Sequence, residues 1–148
     1  MEYRRLNPLQ VRPEVQRAMA TLGRVSSQGD IEKSLLELVK LRASQINGCG
    51  FCIGMHAADA RKEGEQQLRL DLLSAWHEAP CYSARERAAL AWTESVTRIA
   101  DGMLDDVVYA AAREQFSEAE LVDLTMAIIA INGWNRIAIA FGAIPGSH

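Results

Sequence analysis

Runs of alternating apolar and polar residues bounded by hairpin turns, the pattern of β-strands, are missing from this sequence of 148 residues. Internal repeats, low-complexity tracts and linker-like segments are missing as well. A chain of this length suits a single domain with one core. We therefore expect one domain, residues 1–148, built from α-helices alone.

An excess of positive charge is also missing, because the formal net charge is -3. This excludes the basic surface typical of proteins that bind nucleic acids. The first residues, MEYRRLNPLQVRPEV, contain no apolar run and no cleavage site of small residues, so we do not expect export. The segment LVDLTMAIIAINGWNRIAIAFGAI has the length of a membrane span, but Asp123 and Arg136 interrupt it. We expect a buried core helix there and no contact with a membrane.

Cysteine is scarce, with three residues in the chain. A domain of this length does not need disulfides for stability. The odd count indicates a reducing, cytoplasmic location, where paired cysteines tend to be catalytic or metal-binding. Cys81 stands apart from the other two and is predicted to be a small buried hydrophobic residue.

Helix signals are frequent and predict roughly seven helices. Gly23 is expected to end the first helix, and Asp30 to cap the second, which ends at Asn47-Gly48. Two capping boxes, Ser-x-x-Glu at positions 83–86 and 117–120, mark later helix starts. The last helix is apolar on nearly all sides, which favours burial in the core or at a subunit interface.

The stretch QINGCGFCIGMH places Cys49, Cys52 and His56 at helical positions i, i+3 and i+7, within about 60° of one face. This face starts at a helix N-terminus, where unpaired backbone N–H groups and the helix dipole stabilise a thiolate. The two cysteines are also spaced to close into a disulfide. The pattern is typical of thiol redox chemistry.

Glu37 lies on the preceding helix, roughly 18 Å from Cys49 if that helix were continuous. If the chain instead folds back at Asn47-Gly48, Glu37 and His56 lie at similar distances from the turn and their side chains meet. A carboxylate would then orient the imidazole, which would move protons for Cys52.

Other interpretations apply to the same residues. A zinc site would use Cys49, Cys52 and His56, with His77 or Cys81 as the fourth ligand. His56 taken alone is also compatible with a hydrogen-bonded core histidine, and Glu37 with a solvated surface charge. Asn132 and Asn135 interrupt the apolar last helix and need polar partners, either as caps or in a pocket.

The segment ELVKLRASQINGCGFCIGMH resembles the core motif of the alkylhydroperoxidase D-like proteins, within the carboxymuconolactone decarboxylase superfamily. That motif is a glutamate, eleven residues, Cys-x-x-Cys, three residues and a histidine. Here it reads Glu37, Cys49-x-x-Cys52 and His56 at the same spacing. The resemblance continues through MHAADARKEGE, ERAALAWTE and INGWNRIAIAF.

This resemblance implies an all-α fold in which a helical hairpin carries the dithiol, and an assembly of homotrimers or homohexamers. It implies a peroxidase without cofactor or metal, acting on hydrogen peroxide or organic hydroperoxides. Cys52 would attack the peroxide and become a sulfenic acid, and Cys49 would resolve it to a disulfide that an unknown dithiol reductant reopens. Glu37 and His56 would serve as the proton relay. A further histidine that the best-known pattern has before the second cysteine is replaced by Phe51.

Alternatives remain open at this point. The helix dipole favours Cys49 as the attacking thiol, whereas the resemblance and the proximity of His56 favour Cys52. The superfamily also includes acid–base decarboxylation of a lactone acid, which needs no thiols. A third hypothesis is an oligomer that senses redox state through the dithiol and turns over little substrate.

Overall fold

A computed structural model describes residues 1–147, and this part of the chain contains eight α-helices. Within residues 1–147 the one β-type pairing is an isolated antiparallel bridge between Tyr3 and Ala143. The all-α prediction is therefore confirmed. The helices are α1 (Pro8–Val11), α2 (Pro13–Ser27), α3 (Lys33–Asn47), α4 (Gly50–Lys62), α5 (Gln67–Leu72), α6 (Ala84–Thr97), α7 (Asp106–Gln115) and α8 (Glu118–Phe141), with 3-10 turns at Leu73–Ala75 and Ile99–Asp101.

Several helix ends follow directly from local sequence. Both predicted capping boxes form, at the starts of α6 and α8. In each, the serine side chain accepts a hydrogen bond from a backbone N–H that the helix leaves unpaired. The glutamate side chain in turn accepts a hydrogen bond from the backbone N–H of that serine. At the end of α3, Gly48 adopts a left-handed conformation with φ of 70°, which glycine enters without steric cost.

Two predicted helix boundaries are wrong. α2 continues through Gly23 to Ser27, because a glycine inside a helix costs only about 1 kcal/mol relative to alanine and α2 packs along α8. Asp30 does not cap α3, which begins at Lys33. The chain bends at Asp30 and Ile31 and buries Ile31 in the core before the helix starts. The structure also adds α1, a single turn in which Asn7 caps the helix and Pro8 occupies its first position.

α8 is the central helix and packs against α2, α3 and α6. By length and composition alone it would qualify as a membrane span. Here, one side of it enters the main core, whose members on α8 are Leu121, Leu124, Ala127 and Ile128. The opposite side leaves Val122 and Ile129 exposed, and Ile139 is exposed near the C-terminal end of the helix. Burial in the core therefore accounts for only part of the surface of this helix in a single chain, and burial of the rest at a subunit interface stays a prediction.

The two terminal segments lie against each other. The backbone N–H of Arg4 donates to the carbonyl of Gly142 at 2.9 Å, and the N–H of Ile144 donates to the carbonyl of Glu2 at 2.8 Å. These contacts bring the residues after α8 towards the start of α4. As a result, Pro145 lies beside Gly50, where an added Cβ atom would come within 3.2 Å of the proline ring.

Candidate active site

Cys49 and Cys52 lie at the turn between α3 and α4 and form a disulfide, with Cα atoms 5.3 Å apart. Cys49 is the N-cap of α4, and its Sγ accepts a hydrogen bond from the backbone N–H of Cys52 at 3.4 Å. The backbone N–H of Cys49 donates to the carbonyl of Ser44 at 3.0 Å, which closes the turn around Gly48. Both cysteines are almost fully buried. The helix start therefore supplies the N–H groups that stabilise a thiolate, as its sequence predicts.

Glu37 and His56 meet across the α3–α4 hairpin. Glu37 Oε2 lies 2.7 Å from His56 Nδ1, and Lys40 Nζ donates to Glu37 Oε1, also at 2.7 Å. All three side chains are largely buried, with 14% of Glu37, 10% of His56 and 27% of Lys40 exposed. Glu37 is therefore not a solvated surface charge. Lys40 is a member of the cluster that the sequence did not single out, although its i, i+3 spacing from Glu37 is a recognisable signal.

The charge state of Glu37 follows from these contacts. Burial alone would raise the pKa of its carboxyl group, but the hydrogen bond with His56 and the charge and hydrogen bond of Lys40 outweigh it. The pKa of Glu37 is thus lowered, and the carboxylate is ionised at neutral pH. An ionised Glu37 holds the imidazole proton on Nδ1, which leaves Nε2 of His56 as the proton acceptor.

Cys52 and His56 line one cavity of about 580 Å³ between α4, α2 and α8. Because they are one helical turn apart, their side chains project from the same face of α4. Most of the other lining side chains are apolar: Leu9, Met19, Ala20, Phe51, Met55, Ala127, Ala130, Ile131, Trp134 and Ala138. Lys40 also reaches its wall. This volume suits a small organic molecule next to a thiol and a proton acceptor.

A buried amide network connects this hairpin to α8. Asn47 Nδ2 donates to Asn135 Oδ1 at 2.9 Å and to Asn132 Oδ1 at 3.0 Å. Asn135 Nδ2 donates to the hydroxyl of Ser44 at 3.0 Å. The two asparagines of α8 thus fix the end of α3 against the central helix, and neither lines the large cavity. The sequence indicated that these two polar residues of an apolar helix need partners. It did not identify the partners, which lie more than 80 residues away.

A metal could in principle be held by Glu37, His56 and Asp59, whose ligand atoms lie within 4.8 Å of one another among the described residues. The cysteines do not belong to this group, and their sulfurs are bonded to each other. The zinc arrangement weighed from sequence is therefore not formed. Two lysines compete with a metal ion for the carboxylates, because Glu37 pairs with Lys40 and Asp59 pairs with Lys62, the latter at 2.8 Å.

The other candidate zinc ligands lie elsewhere. His77 is exposed and contacts Glu94, and Cys81 is half-buried against the apolar cluster formed around Leu70 and Tyr82. The structure thus brings together Glu37, Cys49, Cys52 and His56, and separates them from His77 and Cys81.

The chain matches several known proteins. The sequence profile of the carboxymuconolactone decarboxylase family matches residues 13–95. An uncharacterized protein, YdfG of Bacillus subtilis (strain 168), is 42% identical over 138 residues, which cover 93% of this chain and 94% of that protein. A protein of unknown function from Agrobacterium tumefaciens, provisionally assigned as the antioxidant defence protein AhpD, has 38% identity and a TM-score of 0.93, over 99% of this chain and 100% of that chain. The debrominase Bmp8 shares the fold alone, at 18% identity, with a TM-score of 0.82 over 94% of this chain and 75% of its own.

Proposed function

Because this chain is an alkylhydroperoxidase D-like member of the carboxymuconolactone decarboxylase family, we propose that it is a thiol-dependent peroxidase that reduces hydrogen peroxide or organic hydroperoxides. The observation that carries the proposal is the contact of 2.7 Å between Glu37 and His56, at a cavity that His56 shares with Cys52. A carboxylate-oriented imidazole beside a thiol is the arrangement that activates a sulfur nucleophile.

In the proposed oxidation step, Nε2 of His56 takes the proton of the Cys52 thiol. The resulting thiolate attacks one oxygen of the peroxide, and the O–O bond breaks. Cys52 becomes a sulfenic acid, and the leaving oxygen receives the proton from His56, which yields water or an alcohol. The ionised carboxylate of Glu37 stabilises the imidazolium that exists between these two proton transfers.

In the proposed resolution step, the sulfur of Cys49 attacks the sulfur of Cys52. The sulfenic oxygen leaves as water, taking up the thiol proton of Cys49, and a disulfide forms. The helix start that holds the Cys49 sulfur against the Cys52 N–H favours the thiolate needed for this attack. We assign attack on the peroxide to Cys52 because it shares the cavity with His56, whereas Cys49 does not line that cavity.

Rapid mixing of the fully reduced protein with hydrogen peroxide or cumene hydroperoxide tests this function. We expect a Cys49–Cys52 disulfide to form well above the rate of a free thiol, and mass spectrometry identifies the bond. Cys52→Ser abolishes oxidation and leaves the oligomer intact, whereas Cys49→Ser stops at a sulfenic acid on Cys52 that dimedone captures. Turnover retained in Cys52→Ser would refute its role as the nucleophile.

Two measurements separate the alternatives. Oxidation no faster than that of a free thiol would favour a redox-sensing oligomer, and lactone decarboxylation that survives in a double serine variant would favour acid–base chemistry. We further propose a cytoplasmic location and an assembly into homotrimers or homohexamers. The exposed apolar side of α8 supports self-association. Light scattering of the purified protein tests the assembly.

A further inference from the structure

The two cysteines face two different openings. Cys52 lines the large apolar cavity, and Cys49 does not. Cys49 instead lines a separate cleft of about 210 Å³, and Cys52 is not part of its wall. Each cysteine of the disulfide therefore lines an opening of its own, although both residues are almost fully buried.

Residues distant in sequence build the cleft. Its lining combines the turn before α4, the end of α8 and both terminal segments: Arg4, Gly48, Cys49, Gly50, Phe51, Ala138, Ile139, Gly142, Ala143 and Pro145. The backbone contacts between Arg4 and Gly142 hold the terminal segments in place. The cleft is open beside Gly48, where no heavy atom lies within 4 Å of the position that a Cβ atom would take. Pro145 packs beside Gly50 and Arg4 beside Gly142, so these two side chains border the approach to Cys49.

Phe51 and Ala138 are the only residues of the described chain that line both openings. Phe51 lies between the two cysteines in sequence and is 2% exposed. These two side chains therefore form the wall between the cavity and the cleft. An aromatic ring at position 51 gives this wall its bulk.

We propose that the active site has two entrances, with the peroxide reaching Cys52 through the apolar cavity and a small dithiol reductant reaching Cys49 through the cleft beside the termini. This inference rests on the proposed function, because it concerns the second half of the same catalytic cycle. It assigns the cleft as the binding site of the reductant. The cleft volume of about 210 Å³ suits a small dithiol.

Reduction in the cleft proceeds by two thiol–disulfide exchanges. A thiolate of the reductant attacks Cys49 Sγ, the disulfide bond breaks, and Cys52 leaves as a thiolate that takes a proton. The second thiol of the reductant, as its thiolate, then attacks the reductant sulfur attached to Cys49. This releases Cys49 as a thiolate and leaves the reductant as a cyclic disulfide. Two electrons and two protons pass from the reductant to the two cysteines.

Charge in the cleft suits an attacking thiolate. Arg4 lines the cleft and is exposed. Gly50 and Phe51, the first residues of α4, also line it, so the positive end of that helix dipole lies at the cleft. The leaving group in the second step is the thiolate of Cys49, whose sulfur already accepts a hydrogen bond from the Cys52 N–H. The large cavity, in contrast, surrounds Cys52 with mainly apolar side chains that suit an uncharged peroxide.

The test narrows each entrance separately and measures each half-reaction separately. Ile139 lines the cleft and is 46% exposed, so Ile139→Trp fills the cleft from its rim. Ala20 lines the cavity from an exposed position on α2, so Ala20→Trp narrows the cavity. Reduction of the diamide-oxidised protein by dithiothreitol, and oxidation of the reduced protein by cumene hydroperoxide, are followed by acid quench, maleimide labelling and mass spectrometry.

We expect Ile139→Trp to slow reduction by about tenfold or more relative to its effect on oxidation, and Ala20→Trp to do the reverse. Ala119→Trp is the control on α8, since Ala119 is exposed on the same helix and lines neither opening. Ala18→Trp is the matched control on α2. Both controls are expected to retain wild-type rates in both half-reactions.

Equal slowing of both half-reactions by either cleft or cavity variant would overturn the two-entrance proposal, as would an unchanged reduction rate in Ile139→Trp. The reduction assay starts from chemically oxidised protein, so its outcome does not depend on whether the protein is a peroxidase. A second readout uses the monothiol 2-mercaptoethanesulfonate, quenched in acid and mapped by peptide mass. Its adduct is expected on Cys49, and an adduct on Cys52 would contradict the proposal.

Discussion

Asn135 offers the sharpest test of what holds the dithiol hairpin against α8. Its side chain is 0% exposed, accepts a hydrogen bond from Asn47 at 2.9 Å and donates one to Ser44 at 3.0 Å. Asn135→Ala removes both hydrogen bonds, each worth about 1 kcal/mol net. It also leaves one amide hydrogen of Asn47 unpaired, which costs about 1 kcal/mol or more.

The expected loss in the free energy of unfolding is therefore about 3 kcal/mol, which lowers Tm by about 6–12 °C in a domain of this size. Urea unfolding and calorimetry of the oxidised protein measure both quantities. Arg17→Ala is the control, because this exposed residue on α2 lies outside the amide network and is expected to change stability by less than about 0.5 kcal/mol. A loss below about 1 kcal/mol in Asn135→Ala would refute the reasoning, since it would mean that the amide network adds little to the packing.

Two further predictions concern ionisable groups. Glu37→Gln keeps a hydrogen-bond acceptor for His56 but removes the charge that stabilises the imidazolium, so oxidation of Cys52 by peroxide is expected to slow by about tenfold to a hundredfold in rapid mixing. An unchanged rate would contradict the relay. Burial raises the pKa of Tyr82 to about 12, and the folded state therefore favours its neutral form. This stabilisation is complete below the ordinary pKa of 10 and is lost as pH rises towards 12. A spectrophotometric titration should show a tyrosine ionising near 12 that is missing in Tyr82→Phe, and a wild-type titration without that step would contradict it.

Local sequence determined some helix ends of this fold, and tertiary packing decided others. Helix types and several ends were predictable because they depend on neighbours within four residues: the capping boxes at Ser83 and Ser117 and the glycine stop at Gly48. Gly23 and Asp30 misled the prediction because packing outweighed local preference. α2 gains more from its contact with α8 than Gly23 costs, and burial of Ile31 delays the start of α3.

The candidate site likewise combines features that local sequence determined with features that only tertiary packing decided. The spacing of Glu37, Cys49, Cys52 and His56 within twenty residues, together with the glycine turn, determined by itself that these side chains share one hairpin. Only the tertiary structure decided the rest. It placed Asn132 and Asn135 against Asn47 from more than 80 residues away. It also placed both terminal segments beside Cys49. Cavities are enclosed by several helices at once, and no local pattern specifies which helices meet. The sequence therefore determined the chemistry available at the dithiol, and the packing of α2, α8 and the termini decided from which side each sulfur is approached.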